Sequence, residues 1–367
     1  MNVLIIGNAD SIWIKKIIER TLLPYGDAVS VFTPTNKEYV EFYKEHRVDI
    51  FTWKKRGTSR NTIKHAGCLF RKYDVTVVFY PCRQSALMGK INRPFTKRLI
   101  LSFLGSDILR AASPDRTVMS ALGKANCITI TTPEMKEKFQ SVYGHAFDTK
   151  IIRTGFGANG FEALDAVLER ADSLRKEYDI PEDKVVVSVG YNKMVNQQHM
   201  KALEAIATLS EELRSKMHLI LRLTYGDGDA EYVAGIKNLV SQLGCSCSYY
   251  ESFLSDEKFA ELTCLTDIFV HAQTSDAKSA SMCEHLYAGC IVLNPSWIEY
   301  SDLKDRIYDL KFADFDDLGL MLKENLVRKE NYPDKDKLCA NKQAIRELCS
   351  WDSYVPMWRA AYMGVDE

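Results

Sequence analysis

The sequence lacks a hydrophobic run long enough to cross a bilayer. Its 367 residues are 46% hydrophobic and 26% charged, and no apolar stretch approaches the roughly 18 residues that a spanning helix needs. The first residues, MNVLIIGNADSIW, contain a short apolar run without a preceding basic segment, which is not the pattern of a secretory signal. We therefore expect a soluble, cytoplasmic chain, and its length predicts two domains rather than one.

Motifs for metals and disulfides are also missing. The ten cysteines are scattered, with no CxxC and one CxC, formed by Cys245 and Cys247. Without an export signal, this distribution indicates reduced thiols that pack inside the protein. The seven histidines show neither HxxxH nor HxH spacing, so we predict no structural metal.

Basic charge is concentrated in one window of a chain whose net charge is −1. Residues 51–100 hold twelve basic residues against one acid, Asp74, so the window carries +11 and the remainder −12. Such a field favours an anionic partner, which could be a phospholipid surface, a lipid pyrophosphate or nucleic acid. A solvated basic surface is the plain alternative. The basic residues are Lys54, Lys55, Arg56, Arg60, Lys64, Arg71, Lys72, Arg83, Lys90, Arg93, Lys97 and Arg98.

Short apolar runs alternate with amphipathic stretches along the whole chain. Near-continuous apolar runs are typical of parallel strands that are covered on both faces. The glycine-rich stretch RTGFGANG (153–160) interrupts the alternation, which then restarts. The predicted strands are Asn2–Ile6, Ala28–Phe32, Val48–Thr52, Val75–Phe79, Leu99–Phe103 and Cys127–Thr131, then Val185–Val189, His218–Leu223, Cys247–Tyr250, Asp267–His271 and Cys290–Leu293.

This pattern predicts an α/β protein with two doubly wound, Rossmann-like domains facing across a cleft. The expected domains are residues 1–155, residues 156–345, and a C-terminal helix in 346–367 that crosses back to the first. Ligands of such sheets bind beyond the carboxyl ends of the strands. The residues that carry chemistry are therefore expected directly after the predicted strands.

One polar stretch follows a predicted strand and opens a helix. It runs SDAKSASMCEHLYAGCIVLNP (275–295) and places Asp276 eight positions before Glu284. A helix that begins near Ser279 or Ala280 would expose N–H groups that suit an anion such as a diphosphate. The Glu284 carboxylate, one turn inside, could accept hydrogen bonds from vicinal ribose hydroxyls. The plain alternative is an ordinary capped helix.

This stretch resembles the E-x7-E region of GT-B glycosyltransferases of the family 4 type. The pattern there is an acid, a glycine-rich turn, a helix with the second Glu, then a small-residue turn and a strand. Here the first acid is Asp276, the turn holds Ala277, Lys278 and Ser279 instead of glycines, and Glu284 is followed by YAGCIVL. The resemblance implies that Glu284 binds the ribose and Asp276 acts at the donor sugar. It also implies that Ser275 belongs to the nucleotide and donor site, and that the turn formed by Lys278, Ser279, Ala280 and Ser281 binds the diphosphate.

Two further segments of the second half resemble donor-domain motifs. VVVSVGYNKMVNQQHMKALEAI resembles the first strand, loop and helix of such a domain, with Asn192 and Lys193 in the loop. LILRLTYGDGDAEYV is closer to the lipid-linked 4-acetamido-4,6-dideoxygalactose transferase family. This likeness implies that Arg222 and Tyr225 belong to the donor site, with Arg222 on phosphate. Asp227 and Asp229 form a DxD by letters, which we interpret as a solvated turn.

Segments of the first half resemble the acceptor-binding domain of these enzymes. RLILSFLGSDIL resembles a strand followed by an H-G-S-D loop, in which Gly105, Ser106 and Asp107 match while Leu104 replaces the histidine. Asp107 is then the best candidate for a base or a hydroxyl-binding carboxylate; an N-cap is the alternative. Asp10 and Trp13, in the loop after the first strand, are further acceptor-side candidates.

The resemblance covers most of the chain, including WDSYVPMWRAAY near the C-terminus. It implies a glycosyltransferase of the hexosyltransferase type that needs no metal or other cofactor. The donor would be a nucleotide-diphosphate sugar. The acceptor would be an oligosaccharide or a polyprenyl-pyrophosphate-linked saccharide of surface polysaccharide synthesis. The enzyme would sit on the inner membrane face through window 51–100, with no nucleic acid partner. A GT-B sugar-nucleotide epimerase, and a non-catalytic basic membrane- or nucleic-acid-binding protein, are the alternatives.

Overall fold

A computed structural model of the protein describes residues 1–53, 65–158 and 160–364. The chain divides into two compact units, the first formed by Met1–Gly157 with Trp351–Glu367 and the second by Ala158–Ser350. The sequence places these boundaries at residues 155 and 345. Within the described ranges, no helix combines the length and apolar character needed to cross a bilayer.

The first unit is built on a parallel sheet of seven strands in the order β3-β2-β1-β4-β5-β6-β7. The strands are β1 Asn2–Ile6, β2 Ala28–Thr33, β3 Asp49–Thr52, β4 Tyr73–Phe79, β5 Thr96–Ser102, β6 Cys127–Ile130 and β7 Ile151–Arg153. Its described helices include α1 Ile12–Ile17, α2 Val40–Glu45, α3 Arg83–Asn92, α4 Ser106–Leu109, α5 Arg116–Lys124 and α6 Pro133–Tyr143. The order reverses between β1 and β4, as in a doubly wound fold.

The second unit contains a parallel sheet of six strands in the order β10-β9-β8-β11-β12-β13. The strands are β8 Val185–Val189, β9 Met217–Arg222, β10 Ser246–Tyr250, β11 Ile268–Val270, β12 Ile291–Pro295 and β13 Leu310–Phe312. Its helices include α7 Phe161–Leu168, α8 Ala171–Glu177, α9 His199–Ala207, α10 Glu211–Ser215, α11 Ala230–Leu243, α12 Asp256–Leu265, α13 Ala280–Tyr287, α14 Phe315–Asn325 and α15 Lys335–Cys349. Here the order reverses between β8 and β11.

The two parallel α/β sheets confirm the predicted fold class. The predicted strands are all present, with ends that shift by a few residues. Strands β7 and β13 were not predicted; each is three residues long and only partly buried. Such short edge strands lack the continuous apolar run that identifies the others.

Two amphipathic stretches of the sequence do not form single regular helices. The stretch after β1 is α-helical to Ile17 and then forms a π-helical turn over Ile18–Leu22. The Thr21 hydroxyl donates to the Ile17 carbonyl there, and such back-bonding perturbs a regular helix. The stretch from His199 divides into α9 and α10, and the second of these begins at a new N-cap, Ser210.

The C-terminal helix, α16 Trp351–Met363, belongs to the first unit. Its Trp358 is fully buried, and the indole Nε1 donates to the Gly155 carbonyl at 2.7 Å. The same ring packs against Phe79 and Phe156. One aromatic side chain therefore joins the end of the chain to the segment that follows β7.

Candidate functional site

The candidate site lies in the second unit, at the carboxyl ends of β8 and β11. These strands are neighbours, and their chain connections run in opposite directions, which is where doubly wound sheets bind ligands. The loops that follow them are tied together. The Thr274 N–H donates to the Asn196 carbonyl at 3.0 Å, and the Asn196 amide donates to Gln273 Oε1 at 2.8 Å.

Helix α13 starts beside these loops, and its first turn is capped by two side chains. Ser279 is the N-cap, as predicted, and its hydroxyl accepts from the Met282 N–H at 3.3 Å. Asp276 Oδ2 accepts from the Ser279 N–H at 2.7 Å and from the Tyr300 hydroxyl at 2.8 Å. Two N–H groups of the turn are thus already bound, and the anion site expected at 278–281 is correspondingly narrower.

Glu284 is buried one turn into α13. Its Oε1 accepts from the Gly160 N–H at 3.1 Å, while the described residues give Oε2 no hydrogen bond. Burial raises the pKa of Glu284 to about 7, although the Gly160 N–H and the nearby Arg222 act in the opposite direction. A carboxylate with one committed oxygen in a dry site is suited to accepting hydrogen bonds from a ligand's hydroxyls.

Gly160 is required for this arrangement. A Cβ at this position would lie 2.7 Å from Glu284 Oε1, closer than real carbon–oxygen contacts allow. The glycine therefore lets the backbone approach the carboxylate, a use of glycine that is common around ligand sites. In the sequence, Gly160 is only the last residue of the glycine-rich stretch 153–160.

Arg222 occupies a different environment from the one that the resemblance implies. Its guanidinium is fully buried and donates from Nη2 to His285 Nε2 at 2.9 Å and to Ser188 Oγ at 3.1 Å. It also lies over the Phe259 ring. Burial lowers the pKa of Arg222 to about 10, with Glu284 among the groups that oppose the change. Arg222 therefore remains a cation at neutral pH beneath the site, and its predicted phosphate contact stays a prediction.

His285 is held neutral by this arrangement. Its Nδ1–H donates to the Ser281 carbonyl at 2.6 Å, so Nε2 is the acceptor that faces Arg222. Its ring stacks on Phe269 at 3.8 Å. Burial and the Arg222 charge lower the pKa of His285 well below its ordinary value. Arg222 and His285 together therefore carry one positive charge and not two.

A second buried network fixes Asp276 from the side of β12. His271 Nδ1 donates to Asn294 Oδ1 at 2.8 Å, and the Asn294 amide donates to Asp309. The Gln273 amide donates to His271 Nε2 at 2.8 Å. Burial lowers the pKa of His271, so the ring is neutral. Its Nε2 lies 3.8 Å from Asp276 Oδ2, and the Tyr300–Asp276 bond completes the support of that carboxylate.

The loop after β8 contains buried polar atoms that the protein does not satisfy. Within the described chain, both amide atoms of Gln197 and the Nε2 atom of His199 have no hydrogen-bond partner. Both side chains approach Gly190, where a Cβ would lie 2.7 Å from His199 Nε2. Buried polar groups are rarely left in this state, and a bound ligand or water is a common explanation.

The remaining donor-side candidates have defined positions. Asn192 is buried and caps its own loop through the Met194 N–H, and Tyr225 is half-exposed. The Lys193 N–H donates to the Tyr225 carbonyl at 2.8 Å, which joins the loops after β8 and β9. The Lys278 ammonium is buried 3.2 Å from Asp302. Ser275 lies beside Asp276 in the loop.

The acceptor-side candidates lie in the first unit. Asp10 Oδ1 accepts from the N–H groups of Lys37 and Glu38; burial opposes them, yet these bonds keep the pKa of Asp10 below its ordinary value. Trp13 packs edge-on against Phe156 at 5.3 Å. Both residues follow β1.

Asp107 stabilises the loop that carries it. Its carboxylate accepts from the N–H groups of Leu104 and Gly105, and Gly105 adopts a φ of 140° that favours glycine. Ser106 Oγ is 3.3 Å from the Tyr80 hydroxyl. Burial raises the pKa of Asp107 to about 6, against these backbone bonds. A role in chemistry for Asp107 stays a prediction.

Metal ligands are not gathered anywhere in the described residues, since no group of three or more His, Cys, Asp or Glu side chains is placed to hold an ion. Asp229 caps α11 by accepting from the Tyr232 N–H, and Asp227 accepts from the Val195 N–H. The two carboxylates of the DxD stretch are thus used in turn and cap bonds. The expectation of metal-independent chemistry remains a prediction.

Comparisons with known proteins give the fold. No protein-family model and no curated protein matches the chain. A glycosyltransferase from Rickettsia africae superposes with a TM-score of 0.77 at 12% identity, covering 99% of this chain and 98% of that one. The chain has the GT-B fold. Anabaena Alr3699/HepE in complex with UDP and glucose gives 0.73 at 13% identity and 100% of both chains. Sucrose-phosphate synthase from Thermosynechococcus elongatus gives 0.72 at 13%, with 100% and 99% covered.

The titration of Glu284 predicts how stability depends on pH. Its pKa of about 7 exceeds the value of about 4.3 in an unfolded chain, so folding takes up a proton between these values. The stabilisation is complete below about pH 4 and is lost as the pH rises through about 7. The Glu284→Gln variant cannot titrate at this position. Its free energy of unfolding should therefore rise relative to that of the wild type by up to about 3 kcal/mol as the pH is raised from about 5 to about 8.

Thermal or urea unfolding at the two pH values measures this difference. Glu204 on α9 is exposed, so Glu204→Gln is the matched control. Its free energy of unfolding should differ little from that of the wild type at either pH. A constant difference between Glu284→Gln and the wild type would show that Glu284 is ionised throughout.

Proposed function

We propose that the protein is a nucleotide-sugar glycosyltransferase whose second unit binds the donor. The observation that carries this proposal is the placement of Asp276 and Glu284 on either side of the α13 N-terminus, at the point where the strand order reverses. The E-x7-E resemblance to family 4 and the complexes of the Anabaena protein with UDP and UDP-glucose support it. Nucleotide-sugar donors are the ligand class that unites these observations.

Glu284 would bind the ribose. Its Oε2 atom is available to a vicinal diol while Oε1 remains on Gly160, and burial makes each such hydrogen bond stronger than it would be in water. The diphosphate would meet the N–H groups of Ala280 and Ser281, to which the described residues give no side-chain cap, unlike those of Ser279 and Met282. The unpartnered Gln197 and His199 groups would supply further contacts at the loop after β8.

Asp276 would act at the donor sugar. Tyr300, the Ser279 N–H and the His271 network hold its carboxylate in one orientation, as a group that must face a reacting sugar requires. As the bond from sugar to diphosphate breaks, negative charge grows on the leaving phosphate. The α13 N–H groups, Lys193 and the buried charge of Arg222 would stabilise that charge without a metal ion.

The acceptor is proposed to be a lipid-linked saccharide, reached from the inner face of the membrane during surface polysaccharide synthesis. A surface of the first unit supports this choice. Phe70, Leu87 and Ile91 are 57%, 44% and 37% exposed, and Leu87 and Ile91 are four residues apart on α3. Phe70 lies in a 3-10 turn that packs against α3.

We call this apolar group the α3 surface (Phe70, Leu87 and Ile91), and basic residues lie close to it in the sequence. Lys72 and Arg83 are exposed and Lys90 is half-buried, whereas Lys97 pairs with Asp74 and Arg98 donates to Ala361. Lys54, Lys55, Arg56, Arg60 and Lys64 lie outside the described residues. Each basic residue near an anionic bilayer contributes on the order of 1 kcal/mol, so a few suffice for peripheral binding when apolar side chains also insert.

A panel of UDP, GDP, TDP, CMP and ADP should identify the donor base by thermal shift. A nucleotide at about 100 times its Kd stabilises a protein by about 2.7 kcal/mol. We expect one nucleotide to raise the Tm of the wild type and of Glu204→Ala, and to leave Glu284→Ala unchanged. Incubation of the matching sugar nucleotide alone then separates transfer from epimerisation. The absence of any shift in the wild type would refute a nucleotide site.

Vesicle binding tests the α3 surface. The wild type should co-sediment with phosphatidylglycerol-rich vesicles at low salt and not with phosphatidylcholine vesicles, because both charge and insertion are needed. Leu87→Ser with Ile91→Ser should abolish the binding. Leu320 is 59% exposed in the second unit, so Leu320→Ser is the control. Equal loss in both variants, or equal binding to neutral vesicles, would contradict the assignment.

A further inference from the structure

Two thiols meet directly behind the candidate site. Cys283 lies on α13, immediately before Glu284, and Cys349 is the last residue of α15. Their Sγ atoms are 3.6 Å apart, both residues are 2% exposed, and the helices that carry them pack against each other. Thiols this close need little movement to form a bond of about 2.05 Å.

The two sulfurs differ in their electrostatic surroundings. The Cys283 S–H donates to Cys349 Sγ. This hydrogen bond, and secondarily the Lys278 charge, lower the pKa of Cys349 although burial acts against them. The same contact, together with burial, raises the pKa of Cys283 well above its ordinary value. Cys349 is therefore the better nucleophile of the pair, which leaves Cys283, 3.6 Å away, as the resolving thiol.

We propose that Cys283 and Cys349 are a redox-modification site that closes to a reversible intrachain disulfide. The oxidant class is a peroxide, which is small enough to reach a buried sulfur during local opening. The Cys349 thiolate attacks hydrogen peroxide and becomes a sulfenic acid as hydroxide leaves. Cys283 then displaces that hydroxyl. Two thiols and one peroxide give one disulfide and two waters, and a dithiol reductant reverses the change.

Closure would reach the nucleotide site through short connections. The Cys349 carbonyl accepts from the Ala158 N–H at 2.8 Å, and two residues later the Gly160 N–H donates to Glu284 Oε1. Formation of the disulfide must move Cys283, Cys349 or both. Glu284 follows Cys283 directly in the chain, and the two hydrogen bonds just described connect it to Cys349. We expect nucleotide affinity to fall about tenfold on oxidation; this part rests on the proposed function.

Other cysteines provide the contrast. Cys290 lies between α13 and β12, and its thiol contacts the carbonyls of Thr263 and Thr266. Cys82 and Cys339 are exposed and should react first with a bulky alkylating reagent. A disulfide between Cys283 and Cys349 would therefore reflect their proximity and not their accessibility.

Peptide mapping of the full chain tests the proposal. The protein is treated with stoichiometric hydrogen peroxide, alkylated and digested with trypsin. Cleavage after Lys278, Lys304, Arg346 and Arg359 releases residues 279–304 and 347–359, and the disulfide links these two peptides. We expect the linked pair in the wild type and in Cys290→Ala, its loss after dithiothreitol, and its absence from Cys283→Ala and Cys349→Ala.

Oxidation of Cys82 and Cys339 without the linked pair in the wild type would overturn the proposal, whatever the variants do. Nucleotide affinity is then compared before and after peroxide, with Cys283→Ala as the insensitive control. A linked pair with unchanged affinity would refute the coupling to the site. A reduced protein that binds no nucleotide would refute the proposed function, while the linked peptides would still establish the disulfide.

Discussion

The buried carboxyl group of Glu284 is the constraint on which the candidate site depends. A carboxylate inside a protein is costly unless hydrogen bonds and a nearby cation compensate for lost hydration. Gly160 supplies the hydrogen bond and Arg222 the charge. Arg222 is in turn tolerated because a neutral His285 accepts from it and Phe259 covers its face. Loss of the Arg222 charge would therefore leave the ionised Glu284 carboxylate less compensated.

Fold topology explains why these residues meet. Reversal of the strand order between β8 and β11 leaves room at the carboxyl edge of the sheet, and the loops after both strands enter it. Helix α13 begins there, so Asp276, the first-turn N–H groups and Glu284 face the same region. The segment that opens the second unit returns to this edge and brings Gly160 to the carboxylate. The site is thus assembled from three parts of the chain that are more than a hundred residues apart at the extremes.

Much of this fold could be predicted from the sequence, because buried parallel strands leave apolar runs that punctuating glycines separate. The Ser279 cap and the start of α13 followed from local rules alone. The partners of the site residues could not be predicted. Nothing in the sequence indicates that Tyr300 donates to Asp276 or that His271 lies beside it, since both contacts depend on how β11 and β12 align. The resemblance implied a donor-phosphate contact for Arg222, but nothing in the sequence indicates that α12 and α13 bury its guanidinium. Gly160 is one of three glycines in residues 153–160, and the sequence does not indicate which of them contacts Glu284.

The affinity for the matching sugar nucleotide at about pH 6 and about pH 8 tests the central claim most directly. Its diphosphate diester has a constant charge over this range, so the pH dependence reports on the protein. If Glu284, with a pKa of about 7, must be ionised to accept ribose hydroxyls, binding at the lower pH has to release its proton. The account predicts about tenfold weaker binding at pH 6 than at pH 8 and loss of that dependence in Glu284→Gln. Equal affinity at both values in the wild type would contradict the assignment of Glu284 to the ribose.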